Sequence, residues 1–498
     1  MVIQEETDQG YAKLYAFSLI PFLLLCTLNS AGYRYGASDL AFYIPAALER
    51  LDPSLFPRDS ALIASQARLT MIDETIAALA RLTGLGLPAL FAALYSVTLA
   101  LLLAAALLFG RLLYRTAWAT MAFVAALTLR HAIAKSGTNT LEGYFHPRQL
   151  AFSLGVLAVV AMMRRHAIMA AALVLAGGLL HPTTALWFSI WIAVGAGVNE
   201  RRWRLPMIVG AAVAAVAASW ILLSGPLAGR LVTMDDVWLA TLETKDYLFP
   251  LEWPAYAWLL NLVYAPAIFY IYKRRAAAGV AMAGEAGLVA GCLALLGVFL
   301  LALPLNAARV ALVIQLQVPR VFWMLDFLAI AYLIWLIGEG LTPSPRRARI
   351  VCLVIALVSV TRSAYIKFVK FPDRPIAEIS VPDNDWGRVM AWARSTPHDS
   401  GWLAHPGHAV QYGTSLRVAG ERDVFVEGIK DAAIGMYDRD VAIRTRDRLE
   451  ELRDFDTMSP DRARSLGRRY ALDFLVTMEL LDLPVAYSSG PLRVYRLR

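Results

Sequence analysis

Residues 166–198, HAIMAAALVLAGGLLHPTTALWFSIWIAVGAGV, decide how this chain is organised. The run is apolar on all sides, as expected of a helix surrounded by lipid or protein and not of one half in water. A bilayer crossing takes about 20 apolar residues, and an unbroken helix over 166–198 would far overrun that length. His181-Pro182 stands in its middle. Proline disfavours helical geometry at the residue before it and withdraws an amide donor, so the run is interrupted there. It is either one long kinked helix or two short spans, 166–180 and 183–198, joined by a tight turn. The choice sets the membrane side of everything that follows.

Outward from this pair, apolar runs at 11–30, 88–110, 116–134, 147–163, 204–223, 254–272, 285–304, 320–338 and 348–366 are further candidate spans. Counting the pair as two predicts about eleven transmembrane helices. With the N-terminus cytoplasmic, the inner connectors are then Arg111 with Arg115, Arg164-Arg165, Arg201-Arg202 with Arg204, Lys273-Arg274-Arg275, and Arg346-Arg347 with Arg349. Each is basic, as cytoplasmic connectors are. Merging the pair would flip every later connector and destroy that pattern, so two spans are preferred. Outside then fall 31–87, 135–146, the His181-Pro182 turn, 224–253, 305–319 and the region from about 367.

Composition agrees. Hydrophobic residues make up 58% and charged residues 17%, against roughly 45–50% and about 25% in soluble domains. The net charge of +8 does not point to nucleic acid, because the basic residues cluster in short connectors between apolar runs. Cys26, Cys292 and Cys352 lie inside apolar runs without a pairing motif, which predicts buried thiols. The run 11–28 lacks a clear small-x-small cleavage site after it and is expected to stay as a first helix. Walker, dinucleotide, HExxH and GxSxG patterns are missing, so ATP-driven transport and common soluble chemistries lack support.

The expected fold class is mainly α: a polytopic membrane domain over 1–370 and a small external α/β domain over 371–498. In the first external loop, 31–87, residues 38–50 predict a short amphipathic helix and 60–83 a second, lying at the interface as a shelf. Beyond Phe371 the long apolar runs end. Residues 385–394 and 443–453 there predict helices, and 401–404, 423–426, 473–477 and 491–496 predict strands.

Polar residues that a membrane tolerates only when solvated or paired gather at the external connectors. Asp39 follows the first span. RHAIAKSGTNTLEGYFHPRQL holds His131, Lys135, Glu142, His146 and Arg148. His181 occupies the central turn, Asp235, Asp236, Glu243, Lys245 and Asp246 precede residue 254, and Arg309, Gln315, Gln317 and Arg320 precede the tenth span. Basic groups suit phosphate oxygens, and a carboxylate suits the proton of an attacking hydroxyl. Structural alternatives stand beside these roles. Asp39 and the Asp235-Asp236 pair could cap helices, the His-Pro pairs could mark helix starts, and Arg320 could anchor at the interface. His405 and His408, in HPGH, form a weaker pair.

The acid in YGASD (Asp39), the phrases GYFHPRQL and LLHPTTALW, and DWGRVMAWARSTPHDSGWLAHP at the start of the C-terminal region resemble the GT-C superfamily of polytopic glycosyltransferases, or bacterial membrane proteins of that architecture. The likeness covers most of the chain in layout and is diffuse in sequence. It departs at Ser38-Asp39, where some relatives carry Asp-Glu, and no WWD motif is present. The resemblance implies transfer of a sugar from a polyprenyl-phosphate donor at the external face of a bacterial plasma (inner) membrane, with the C-terminal domain periplasmic or extracellular. Asp39 would be the catalytic base or a metal ligand. His146, His181, Lys245, Arg309, Gln315 and Arg320 would contact the substrate. A divalent cation, if used, would be held by Asp39, Asp235 and Asp236. Partners would be the polyprenyl-phosphate lipid or lipid-linked sugar and membrane lipids, and no nucleic acid. A transporter or flippase of a lipid-linked substrate, and a noncatalytic membrane protein of the same fold, are the alternatives.

Overall fold

The computed structural model describes residues 2–225, 227–341 and 344–498, with side chains from residue 13 onward. The N-terminal residue, placed in the cytoplasm by the charge pattern, lies outside them, as does residue 226 of the 224–253 connector. The chain is mainly helical, with a small β-containing region near its C-terminus. Among the described residues six helices are long and apolar enough to cross a membrane, and shorter apolar helices cover Lys13–Asn29, Ala117–Leu127, Pro147–Met163 and Ala167–Leu180. These features are those of a multi-pass membrane protein.

In order, the helices are α1 (Val2–Asn29), α2 (Leu40–Leu51), α3 (Ser60–Ala67), α4 (Ile72–Thr83), α5 (Leu87–Leu113), α6 (Ala117–Leu127), α7 (Pro147–Met163), α8 (Ala167–Leu180), α9 (Pro182–Asn199), α10 (Arg204–Leu223), α11 (Asp236–Ala240), α12 (Ala255–Leu262), α13 (Tyr264–Ala277), α14 (Glu285–Ala307), α15 (Ala311–Leu316), α16 (Val321–Gly338) and α17 (Pro345–Tyr365). The run 166–198 divides at His181 into α8 and α9, as proline requires. The expected helix over 116–134 ends at Leu127 instead. A short hairpin of Ala132–Ile133 with Thr138–Asn139 follows, turned by Gly137 at φ +65°. The expected single helix over 60–83 is two, α3 and α4, separated by Arg68–Met71.

The chain forms two compact units, the first comprising Met1–Tyr33, Leu94–Thr233 and Asp246–Ile376. Its core is aromatic: Phe152 stacks on Trp323 at 3.9 Å, and Phe327 meets Phe109 and Phe123 edge-on. Hydrogen bonds between helices supplement packing where lipid removes the hydrophobic incentive for helices to associate. Asn29 on α1 donates to Ser359 on α17 at 2.9 Å, and Arg362 donates to Asn29 at 2.8 Å. Arg275 and Glu285 form a bidentate pair at 2.6 and 3.0 Å, both buried, with Tyr332 donating to the same carboxylate. Helix α10 buries none of its apolar window and leaves Val216 72% and Trp220 64% exposed, a surface suited to lipid.

The second unit comprises Arg34–Ala93, Met234–Lys245 and Ala377–Arg498. Its further helices are α18 (Asp385–Ala393), α19 (His408–Gln411), α20 (Leu416–Ala419), α21 (Gly428–Gly435), α22 (Arg439–Glu451) and α23 (Pro460–Tyr470). Its sheet has β1 (Gly401–Leu403), β2 (Asp423–Val424), β3 (Phe474–Thr477), β4 (Val485–Ser489) and β5 (Leu492–Arg496), in spatial order β2-β1-β3-β5-β4. The four expected strands are present, and β4 is additional. Pairing is parallel for β1 with β2 and with β3, and antiparallel for β5 with β3 and β4. Alternation along the strands feeds two cores. Trp402, Val424, Val476 and Val494 pack with α18 and α20, while Leu403, Phe425, Leu475 and Tyr495 pack with α23 and the end of α22. The sheet is therefore covered by helices on both faces.

Buried charge ties the first-loop segment to this α/β body within the unit. Arg417 meets Asp59 at 2.8 Å and Asp431 at 2.6 Å, with Glu427 at 3.4 Å. Arg444 also pairs with Asp59, while the Asp423 carboxylate accepts from the Arg58 and Asp59 amides. All these side chains except Arg444 are nearly inaccessible, so each charge depends on its partners.

Candidate functional site

Two histidines define the polar centre of the first unit. His146 and His181 each precede a proline that opens a helix, and each sits at an N-cap with extended or near-extended backbone. The His146 Nδ1 accepts from the Arg148 amide at 3.1 Å. The His181 Nδ1 accepts from the Thr184 amide at 3.3 Å and from the Thr184 hydroxyl at 3.0 Å. Accepting at Nδ1 places the hydrogen of the neutral ring on Nε2. The two rings lie 6.2 Å apart, centroid to centroid. His181 keeps some accessible surface but is packed round by protein. That burial pushes its imidazole well below its ordinary value, and the positive charges of Arg320 and Arg148 act in the same direction. Both histidines thus serve as helix caps, with the hydrogen of the neutral ring on Nε2.

Arg320 occupies the N-cap of α16. The N-termini of α7 and α9 carry the two rings, and the Arg320 charge acts on one of them. Helix N-termini and a guanidinium each favour negative charge. Arg148 is buried beside it and held by Glu142 at 3.1 Å.

The remaining expected residues of this unit go elsewhere. Gln315 accepts from Arg230 at 2.6 Å, and both are buried. Arg309 follows α14 in left-handed backbone at φ +57°. His131 Nδ1 lies 3.1 Å from the Leu129 carbonyl and Nε2 3.1 Å from Asp326, both acceptors, so both nitrogens are placed to donate. Burial opposes the charged ring, but Asp326 outweighs it and raises His131 above its ordinary value. Neither Arg230 nor Asp326 was singled out from sequence. Arg230 lies in a polar connector, and Asp326 is a lone acid within an apolar helix, a pattern that signals an internal partner.

Asp39, Lys245, Asp235 and Asp236 belong to the second unit. Asp39 stands at the N-cap of α2 but its side chain makes no capping bond. Its Oδ1 accepts instead from Lys430 at 2.9 Å. Lys245 donates to the Ile429 carbonyl at 3.3 Å, and burial followed by the Lys430 charge lowers its ammonium, against the pull of Asp39. Asp39 thus lies in the field of two lysines. Asp235 caps α11 through the Trp238 amide at 2.8 Å and is forked by Arg439. That fork, more than any other contact, holds its carboxyl below the usual range. Asp236 follows in the first turn of α11. Among the described residues no three His, Cys, Asp or Glu side chains group as a metal site. Asp39, Asp235 and Asp236 therefore do not assemble the expected cation site, two of them being engaged by basic side chains.

No family model matches the chain, and no curated protein matches it in sequence. The chemistry available rests on the geometry alone: an anion-favouring corner at the start of α7 and α9, and a lysine-flanked carboxylate at the start of α2.

Proposed function

We propose that this protein is a GT-C-like glycosyltransferase that moves a sugar from a polyprenyl-phosphate-linked donor to an acceptor at the external face of a bacterial plasma membrane. In this proposal the helices make eleven crossings and residues 371–498 lie outside. The observation that supports the reading is the corner of His146, His181 and Arg320, within a unit whose other surfaces suit lipid. A lipid phosphate requires such a place: donors for its oxygens beside a region that accepts its hydrocarbon.

In the transfer, the acceptor oxygen bonds to the anomeric carbon as the bond from that carbon to phosphate oxygen breaks. Charge grows on the departing phosphate, and donors that need no rearrangement stabilise it best there. His146 and His181 supply Nε2–H, and Arg320 supplies a fixed positive charge. Proton acceptance from the acceptor hydroxyl falls, by resemblance, to Asp39.

The test uses proteoliposomes and labelled sugar on a polyprenyl-phosphate donor. Transfer is expected with the native chain and lost in Asp39→Ala. In His181→Ala the donor KM is expected to rise by about tenfold or more, since one hydrogen bond to a charged group contributes about 1.5–3 kcal/mol. Unchanged transfer in Asp39→Ala would remove that residue from the reaction. Movement of the lipid across the bilayer without sugar transfer would favour a flippase instead.

A further inference from the structure

The sheet of the second unit has a topological switch point. From β1 the chain passes outward to β2 on one side and then returns to β3 on the other. Helices that follow β1 and β2 lie on opposite faces, so a crevice opens beyond the carboxyl ends of β1 and β3. In open α/β sheets this crevice is where ligands bind. A small solvent-open cleft, about 40 Å³ in volume, lies there, lined by Ala404 and His405 just after β1 and by Met478 and Glu479 just after β3.

Its lining is chemically one-sided. Asp456 and Glu479 stand exposed on it, with Gln411, while no lysine or arginine lines it in a chain that carries 47 of them. An anionic ligand finds no counter-charge in such a cleft, whereas acids in a concave wall focus a field that draws cations. The interior is aromatic. Tyr412 stacks on buried Trp386 at 4.4 Å, and Phe455 meets the His405 ring edge-on. Ring faces attract ammonium groups, and Tyr412, backed by buried Trp386, is the partly exposed ring here. His408 is fully engaged, with Nδ1 donating to the His405 carbonyl and Nε2 accepting from the Leu416 amide, so it braces the wall. His405 accepts from the Gly407 amide at Nδ1, which puts its hydrogen on Nε2, a donor for a ligand oxygen.

We infer that this cleft binds a small organic ammonium compound that also carries a hydroxyl. Asp456 and Glu479 take the charge, the Tyr412–Trp386 stack takes the alkyl face, and His405 or Gln411 takes the hydroxyl. The site does not depend on the glycosyltransferase reading, because its readout is binding and not transfer.

Saturation-transfer NMR on the full-length protein in neutral detergent, with choline and ethanolamine as probes, tests it. Glucose and inorganic phosphate serve as neutral and anionic controls. Both ammonium probes are expected to bind, and the Asp456→Asn/Glu479→Gln double variant to weaken them at least tenfold. Both positions are exposed, so the thermal unfolding midpoint should hold. Tyr412→Ala should weaken choline more than ethanolamine, since the quaternary group relies more on the ring face. Absence of binding by both probes, equal binding by the double variant, or preference for glucose or phosphate overturns the assignment.

Discussion

Glu427 shows how strongly one buried residue can tie stability to pH. Burial pushes its carboxyl up to about 7, with Arg417 pulling the other way. The folded value lies above the ordinary 4.5, so its contribution is complete below about pH 4.5 and is lost as pH rises through 7. Asp59 runs oppositely. Burial alone would raise it, but Arg417 and Arg444 outweigh that and hold it down to about 2. Its contribution is present above its ordinary 3.8 and lost as pH falls through 2. Glu427→Gln should therefore slow amide exchange around 416–435 by about tenfold or more at pH 8, one pKa unit being worth about 1.4 kcal/mol. At pH 5 the variant and the native protein should differ little. Equal differences at the two pH values would contradict this account.

At the scale of elements, the membrane helices are set by composition and their contacts by small residues. Helices α9 and α14 approach closely because Gly287 and Gly291, four apart on α14, face Gly195 and Trp191. A Cβ on Gly291 would stand 2.5 Å from the Trp191 carbonyl oxygen, whereas one on Gly297 of the same helix would meet nothing within 4 Å. Gly291→Val should lower the thermal inactivation midpoint in detergent, for an overpacking cost of about 1–3 kcal/mol. Gly297→Ala should leave it unchanged or slightly higher. The helix starts at Pro147 and Pro182 were visible as His-Pro pairs because capping is local. The break between α3 and α4 was not, since the apolar pattern runs through it.

At the scale of the whole molecule, the α/β unit draws on three separated stretches of chain. Segment 377–498 produced alone would leave Arg417 without Asp59, and loss of a buried ion partner costs about 3–5 kcal/mol. That is a large part of the roughly 5–15 kcal/mol by which domains are stable. The isolated segment should give poorly dispersed amide NMR spectra, and adding residues 34–83 in trans should sharpen them. Good dispersion without that peptide would show that Asp59 is dispensable. By itself the sequence determined that the chain is a helical membrane protein, roughly where most of its apolar helices run, and four of the five strands of its C-terminal part. These follow from hydropathy and periodicity, which act over a few neighbouring residues. Which charged and polar side chains meet was decided by tertiary structure alone. Lys430 reaches Asp39 across 391 residues, Asp326 reaches His131 across 195, and Arg230 reaches Gln315 across 85. A charge in sequence carries no record of its partner. Only packing brings the two within a few ångströms, where desolvation makes the pairing obligatory.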